Sequence, residues 1–265
     1  MNKYLMTLLS AVSMTALPLN AEPKVLYVGD SIAMETADVV TWWAHNYIGA
    51  TTTRAMYGGL AICDFTTQDS STESSLTQRV KTDKPDIVVL QFVGNAFTPC
   101  MQNLGSDPDA YYKKYASDTN EATRQITAAA AAVNIPRPKI MWVLRGPTEG
   151  SDQAKRIITQ YRNLAAKNGD LVSDAGKEVS MAAYPGTDYE TARYQFTRFV
   201  PCSDFERSAG YCTDEAEGLA RVHKDDDGTH FCLGDEPIFI CHVTSPGILR
   251  YGMKIAQDIK EALIP

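Results

Sequence analysis

No stretch of this chain concentrates positive charge. The formal net charge is −7, from 25 Lys and Arg against 32 Asp and Glu, with no basic block. Nucleic-acid surfaces need clustered cations, so no nucleic-acid partner is expected. Histidine is scarce as well: His45, His223, His230 and His242 are all there is for imidazole chemistry. There is no Cys-x-x-Cys pair, which removes the zinc-knuckle and thioredoxin-type readings. Past the N-terminus no apolar run approaches the roughly 20 residues of a membrane span. Internal repeats are lacking. So is any linker rich enough in Pro, Gly or Ser to split the chain.

What is present begins with a leader pattern. Asn2-Lys3 is a short positive start, an interrupted apolar stretch runs to Leu17, and Leu19-Asn20-Ala21 offers a cleavage site before Glu22. Residues 1–21 therefore read as a secretory signal peptide, and 22–265 as a single domain with no stable membrane anchor. The cysteines agree. Cys63, Cys100, Cys202, Cys212, Cys232 and Cys241 are even in number, as expected of disulfides in an exported protein. Six cysteines allow many pairings. Proximity favours Cys202–Cys212 and Cys232–Cys241, leaving Cys63 for Cys100.

The mature chain alternates strand and helix signals. Lys24-Val25-Leu26-Tyr27-Val28 is an apolar strand that stops at Gly29-Asp30-Ser31. Residues 32–47 then carry apolar side chains at helical spacing. Residues 51–56 are β-branched and strand-like, ending at Gly58-Gly59. A polar stretch over 69–82 turns into a helix. Residues 87–92 form the strongest strand, a continuous apolar run of the kind buried on both faces. A long helix is predicted over 108–133, a strand over 139–144, a helix over 151–167 and a short strand at Leu171-Val172. A closing helix covers 245–263. This alternation predicts one doubly wound α/β domain. Residues 184–211 break the pattern, with Tyr184, Tyr189, Tyr194, Phe196, Phe199, Phe205 and Tyr211 among polar residues. They read equally as an aromatic-packed surface loop or a substrate-lining lid.

Ser31, at a strand-to-helix turn, is the candidate nucleophile. An open parallel sheet binds ligands at the carboxyl ends of its strands. Acyl transfer needs a nucleophile, a base, a group that orients the base, and oxyanion donors. His230 follows Asp227 by three residues, a spacing that sets a carboxylate beside the imidazole. His223 is the runner-up base, and His45 and His242 read as structural. Asp225, Asp226 and Asp227 have two further readings, a solvated turn or cation ligands; the absence of other ligands at tidy spacing favours no metal. Oxyanion donors would be the Ser31 N–H, a glycine N–H at Gly58 or Gly59, and the Asn95 amide.

Together these features resemble the SGNH hydrolase superfamily, the GDSL-type esterases and lipases. Gly29-Asp30-Ser31 matches the first family block, Gly58 the second, Asn95 the third, and Asp227 with His230 the fifth. The resemblance implies a three-layer αβα sandwich with a five-stranded parallel sheet, flavodoxin-like in topology. It implies a Ser31–His230–Asp227 triad, an oxyanion hole of Ser31, Gly58 and Asn95, and no cofactor. The glycine- and asparagine-bearing segments with their cysteines are similar to exported members, some linked to membrane acyltransferases, where a Cys63–Cys100 bridge fits. The third block departs from the family: Val93 stands at its glycine and Ala96 at its aspartate. The functional expectation is an exported serine esterase or deacylase acting on a small-molecule or carbohydrate ester. The alternatives are O-acyl transfer to a cell-surface polysaccharide and a non-catalytic carbohydrate-binding protein on the same scaffold.

Overall fold

A computed structural model describes residues 22–66, 75–105, 107–235, 241 and 243–264. The expected signal peptide and His242 lie outside them. The chain runs β1 (Lys24–Gly29), α1 (Ser31–Trp43), β2 (Thr51–Met56), α2 (Ile62–Phe65), α3 (Leu76–Asp83), β3 (Ile87–Gln91), α4 (Ala110–Ala132), β4 (Lys139–Val143), α5 (Gln153–Asn168) and β5 (Leu171–Ser173). It closes with α6 (Tyr189–Ala192), β6 (Phe199–Pro201), α7 (Asp204–Ala209), β7 (Leu219–Arg221) and α8 (Pro246–Leu263).

The first five strands form one sheet in the order β2-β1-β3-β4-β5, every pair parallel. The chain steps outward from β1 to β2 and then returns to the other side of β1. That reversal puts a crevice at the carboxyl ends of β1 and β3, where open α/β sheets bind ligands. Strand side chains alternate between two cores. Leu26, Val28, Val88, Leu90, Ile140 and Trp142 pack into the core shared with α2, α4 and α5. Val25, Tyr27, Ile87, Val89, Met141 and Val143 pack with α1 and α8. The result is the expected three-layer αβα sandwich.

β1 and β3 approach closely because residue 29 has no side chain. A Cβ there would lie 2.3 Å from the Gln91 carbonyl oxygen and 2.5 Å from Ala33 Cβ. Asn168 ends α5 as expected, with Gly169 in the left-handed conformation at φ 68°.

Two regions differ from the sequence expectation. The helix over 32–47 is α1 followed by a π-turn at Ala44–Ile48, closed by Gly49 at φ 68° donating to Ala44 and His45 carbonyls. The residues of 184–211 are partly regular. They hold α6, β6 and α7, and β6 pairs antiparallel with β7 just beyond them. Strands of three residues carry too short a pattern to stand out in sequence. Their packing is polar as well as aromatic: Asp174, just after β5, accepts from Tyr189 and pairs with the fully buried Arg193.

Candidate active site

β1 ends at Gly29, and Asp30 caps α1. Its side chain accepts from the Ile32 N–H, and Ser31 becomes the first residue of the helix, 7% exposed. A side chain so placed sits over the crevice between β1 and β3. Its own N–H has no hydrogen-bond acceptor among the described residues, as expected of the first helical turn. The second Asp30 oxygen accepts from the Val93 N–H at 2.7 Å and the Asn95 amide at 3.2 Å. Asp30 is fully buried, and burial pushes its carboxyl up to about 6, against the Val93 and Ile32 N–H groups and the charges of Arg145 and His230.

His230 reaches the same crevice from a loop with no regular secondary structure. Its Nε2 lies 2.9 Å from Ser31 Oγ. Its Nδ1 lies 2.7 Å from Asp227 Oδ2. An ionised carboxylate only accepts, so the imidazole proton sits on Nδ1 and leaves Nε2 to receive the serine O–H. The other Asp227 oxygen accepts from the Thr229 and His230 backbone N–H groups at 2.9 and 3.0 Å. Burial works against ionising Asp227, but these N–H groups and the His230 ring outweigh it and hold the carboxyl below its usual range.

Gly58 borders the site. A Cβ added there would stand 4.0 Å from Ser31 Cβ and 3.8 Å from Met34 Sδ, ordinary contact distances. No acceptor meets its N–H among the described residues. Asn95 is near, but its amide is engaged: it donates to Asp30 Oδ2 and, at 3.1 Å, to the Leu60 carbonyl. It thus links the turn after β1, the loop after β2 and the turn after β3. Gly94, beside it, has φ 97° and no room for a Cβ, with Ile157 Cδ1 at 2.4 Å.

His223 is not placed as a base. Its ring is 1% exposed, packs between Phe196 and Phe231, and bonds through Nδ1 to the His230 carbonyl at 2.9 Å. That carbonyl only accepts, so Nδ1 carries the proton. Burial holds the imidazole neutral, with its pKa down to about 4. His45 is exposed at the far end of α1 from Ser31. Asp225 pairs with Arg221 at the surface. Among the described residues the acidic run takes part in no cluster with metal-ligand spacing. The cluster that has it, Cys63, Asp64 and Cys100, contains a disulfide and so lacks thiolate ligands. All three favoured cysteine pairs are joined: Cys63–Cys100, Cys202–Cys212 and Cys232–Cys241. The first ties α2 to the segment after β3, and the last begins two residues after His230.

Sequence reasoning did not single out two buried charged groups. Arg145, after β4, is 3% exposed and donates to the Val93 carbonyl and to Gln153 Oε1. Glu35, one turn beyond Ser31 on α1, is 3% exposed and accepts from the backbone after His230. A carboxylate one turn into an amphipathic helix ordinarily faces solvent, so nothing in the sequence marks it. A groove of about 570 Å³ lined by Trp43, Tyr47, Phe205, Leu249 and Met253 contains none of the predicted site residues.

The fold is shared with solved structures of esterases. The chain is similar to Est24, a carbohydrate acetylesterase from Sinorhizobium meliloti, at 13% identity and a TM-score of 0.54, over 91% of this chain and 100% of that one. It is also similar to a carbohydrate esterase family 3 protein from Talaromyces cellulolyticus, at 15% identity and a TM-score of 0.52, over 91% and 97% of the two chains. The aryl esterase of M. smegmatis gives 15% identity and a TM-score of 0.51, over 91% and 100%. At these identities the likeness is one of fold. No protein-family model and no curated protein matches the sequence.

Proposed function

We propose that the chain is an exported serine esterase that removes short acyl groups from carbohydrate or small-molecule esters. Ser31 Oγ attacks the acyl carbonyl while His230 Nε2 takes its proton. Asp227 holds the ring in the Nδ1–H tautomer and stabilises the imidazolium. The developing oxyanion meets the unengaged N–H groups of Ser31 and Gly58. Asn95 joins them only by giving up its bond to Asp30 or to Leu60, so its first role is to hold the three turns in register. His230 then returns the proton to the departing alcohol, and water resolves the acyl-enzyme by the reverse sequence. Residues 22–265 act as one domain in this reading.

The observation that carries this reading is the unbroken hydrogen-bonded chain from Asp227 through His230 to Ser31, at 2.7 and 2.9 Å. Its members come from positions 199 residues apart, meeting at the sheet edge where the topology favours a ligand. Acylated carbohydrate as substrate rests on the descriptions of the two carbohydrate esterases that share the fold. Export rests on the leader pattern and on three disulfides, which persist in oxidising compartments. The test is hydrolysis of p-nitrophenyl acetate and of an acetylated oligosaccharide by the purified protein from residue 22. Free acetate should appear, and Ser31→Ala should lower kcat by at least about 10³-fold. Turnover persisting in that variant, or acetylated sugar in place of free acetate, would refute the assignment.

A further inference from the structure

We propose that Glu35 is a positioning residue, a clamp that sets the distance between Ser31 and His230 by tying the backbone after the histidine to the helix that carries the serine. This rests on the reading that Ser31 and His230 carry out the chemistry.

Glu35 lies four residues after Ser31, so the two side chains share one face of α1, one turn apart. Both carboxylate oxygens are used. Oε2 accepts from the Phe231 N–H at 3.0 Å, and Oε1 from the Cys232 N–H at 3.3 Å. These are the two residues that follow His230. A single rigid turn of helix therefore holds Ser31 at one end and the outgoing strand of the histidine loop at the other. The incoming side is held separately, by Asp227 accepting from the Thr229 and His230 N–H groups. The His223 ring donates to the His230 carbonyl. The Cys232–Cys241 disulfide also holds the outgoing side, through the side chain of Cys232.

The chemistry of the position also separates clamp from filler. Taking a carboxylate out of water is costly unless hydrogen bonds replace its hydration. Burial pushes the Glu35 carboxyl up to about 7, against the Phe231 and Cys232 N–H groups and the His230 ring, with the Asp227 charge adding to the rise. A side chain that merely occupied volume between α1 and this loop would be apolar, as Ile32, Ala33 and Phe231 around it are. Two charge-assisted bonds to consecutive peptide N–H groups specify the direction of the loop as well as its presence.

The test uses Glu35→Gln and Glu35→Ala in the purified protein. Gln keeps one acceptor and turns an NH₂ group toward the second peptide N–H; Ala removes both bonds. Displacing a catalytic group by roughly 1 Å can cost about 10²-fold in rate. We expect kcat for p-nitrophenyl acetate, and the rate of fluorophosphonate labelling of Ser31, to fall about 10-fold in the Gln variant with KM within about twofold. The Ala variant, where it folds, should lose more. Amide hydrogen exchange at Phe231 and Cys232 should accelerate in both variants, while exchange in β1 and β3 is unchanged. Unaltered kcat and labelling in Glu35→Gln, or unaltered exchange at those two amides, would overturn the clamp. If the wild type neither hydrolyses esters nor labels at Ser31, the esterase reading falls on its own, and the exchange measurement still decides whether Glu35 holds the loop.

Discussion

The turn that bears Ser31 and the loop that bears His230 meet at 2.9 Å but are built on opposite plans. The Ser31 turn is set by backbone. It lies between a central strand, paired in register with β2 and β3, and the first turn of α1. Its main side-chain fixture, Asp30, belongs to the turn itself, with the Asn95 amide donating to it from the turn after β3. The His230 loop has no strand or helix of its own. It is held by side chains from elsewhere: Glu35 of α1, the His223 ring, Phe196 packed against that ring, and the Cys232–Cys241 bridge. A turn fixed by backbone pairing fails when backbones can no longer approach. A loop held by side chains loses its geometry one fixture at a time, with the fold intact.

Substitutions can break that contrast. The largest effect on folding should come from the serine side. Gly29→Ala drives a Cβ into the Gln91 carbonyl oxygen and Ala33, so β1 and β3 must separate. A stability loss of about 3 kcal/mol is expected, read as a lowered denaturant midpoint. On the histidine side, replacing Cys232 and Cys241 together by Ser should cost roughly 2–3 kcal/mol, the chain-entropy value for so short a loop. In that variant the folded protein at 25 °C should show a kcat well below wild type. Equal kcat in the two would mean that the bridge only tethers.

Asp30 sharpens the contrast through pH. Its carboxyl is raised by burial to about 6, above the roughly 3.9 of an unfolded chain. Between those values the folded protein binds the extra proton, so this group makes stability fall as pH rises from about 4 to 6. The ionised form is the one that accepts from Ile32, Val93 and Asn95, so activity should rise through the same window. Asp30→Asn should remove this contribution from the pH dependence of Tm and lower kcat at pH 8. The smallest structural effect belongs to Gly58→Ala. The added methyl meets only ordinary contacts, so Tm should stay within a few degrees. The methyl stands beside Ser31, on the side where the acyl group would enter, so kcat should still fall.

The same contrast decides what the sequence could disclose. The apolar runs at 24–29 and 87–92 and the glycine-bearing turn after the first are local patterns, so the two strands and the turn that carries Ser31 were legible. The Asp227-to-His230 spacing was legible because both groups sit in one short turn. The three disulfides also followed, two from proximity and one by the cysteines that remained. What supports the histidine was not legible. Glu35 is 196 residues from Phe231, and only the folded chain shows that its helix face is covered. His223, two residues from an acidic run, read as a second base, whereas its burial between two aromatic rings makes it a neutral strut. Asn95 matched a family position, yet its amide bonds to Asp30 and Leu60 depend on three separate turns coming together.

The most direct test of the account is the site and rate of labelling by a fluorophosphonate, which reports a serine activated by its base. In the folded wild type the label should fall on the peptide that contains Ser31. His230→Ala should slow that labelling by at least about 10³-fold without changing the circular dichroism spectrum. Labelling of Ser31 at an undiminished rate in His230→Ala, or none in the folded wild type, would contradict the claim that these two residues act as one catalytic unit.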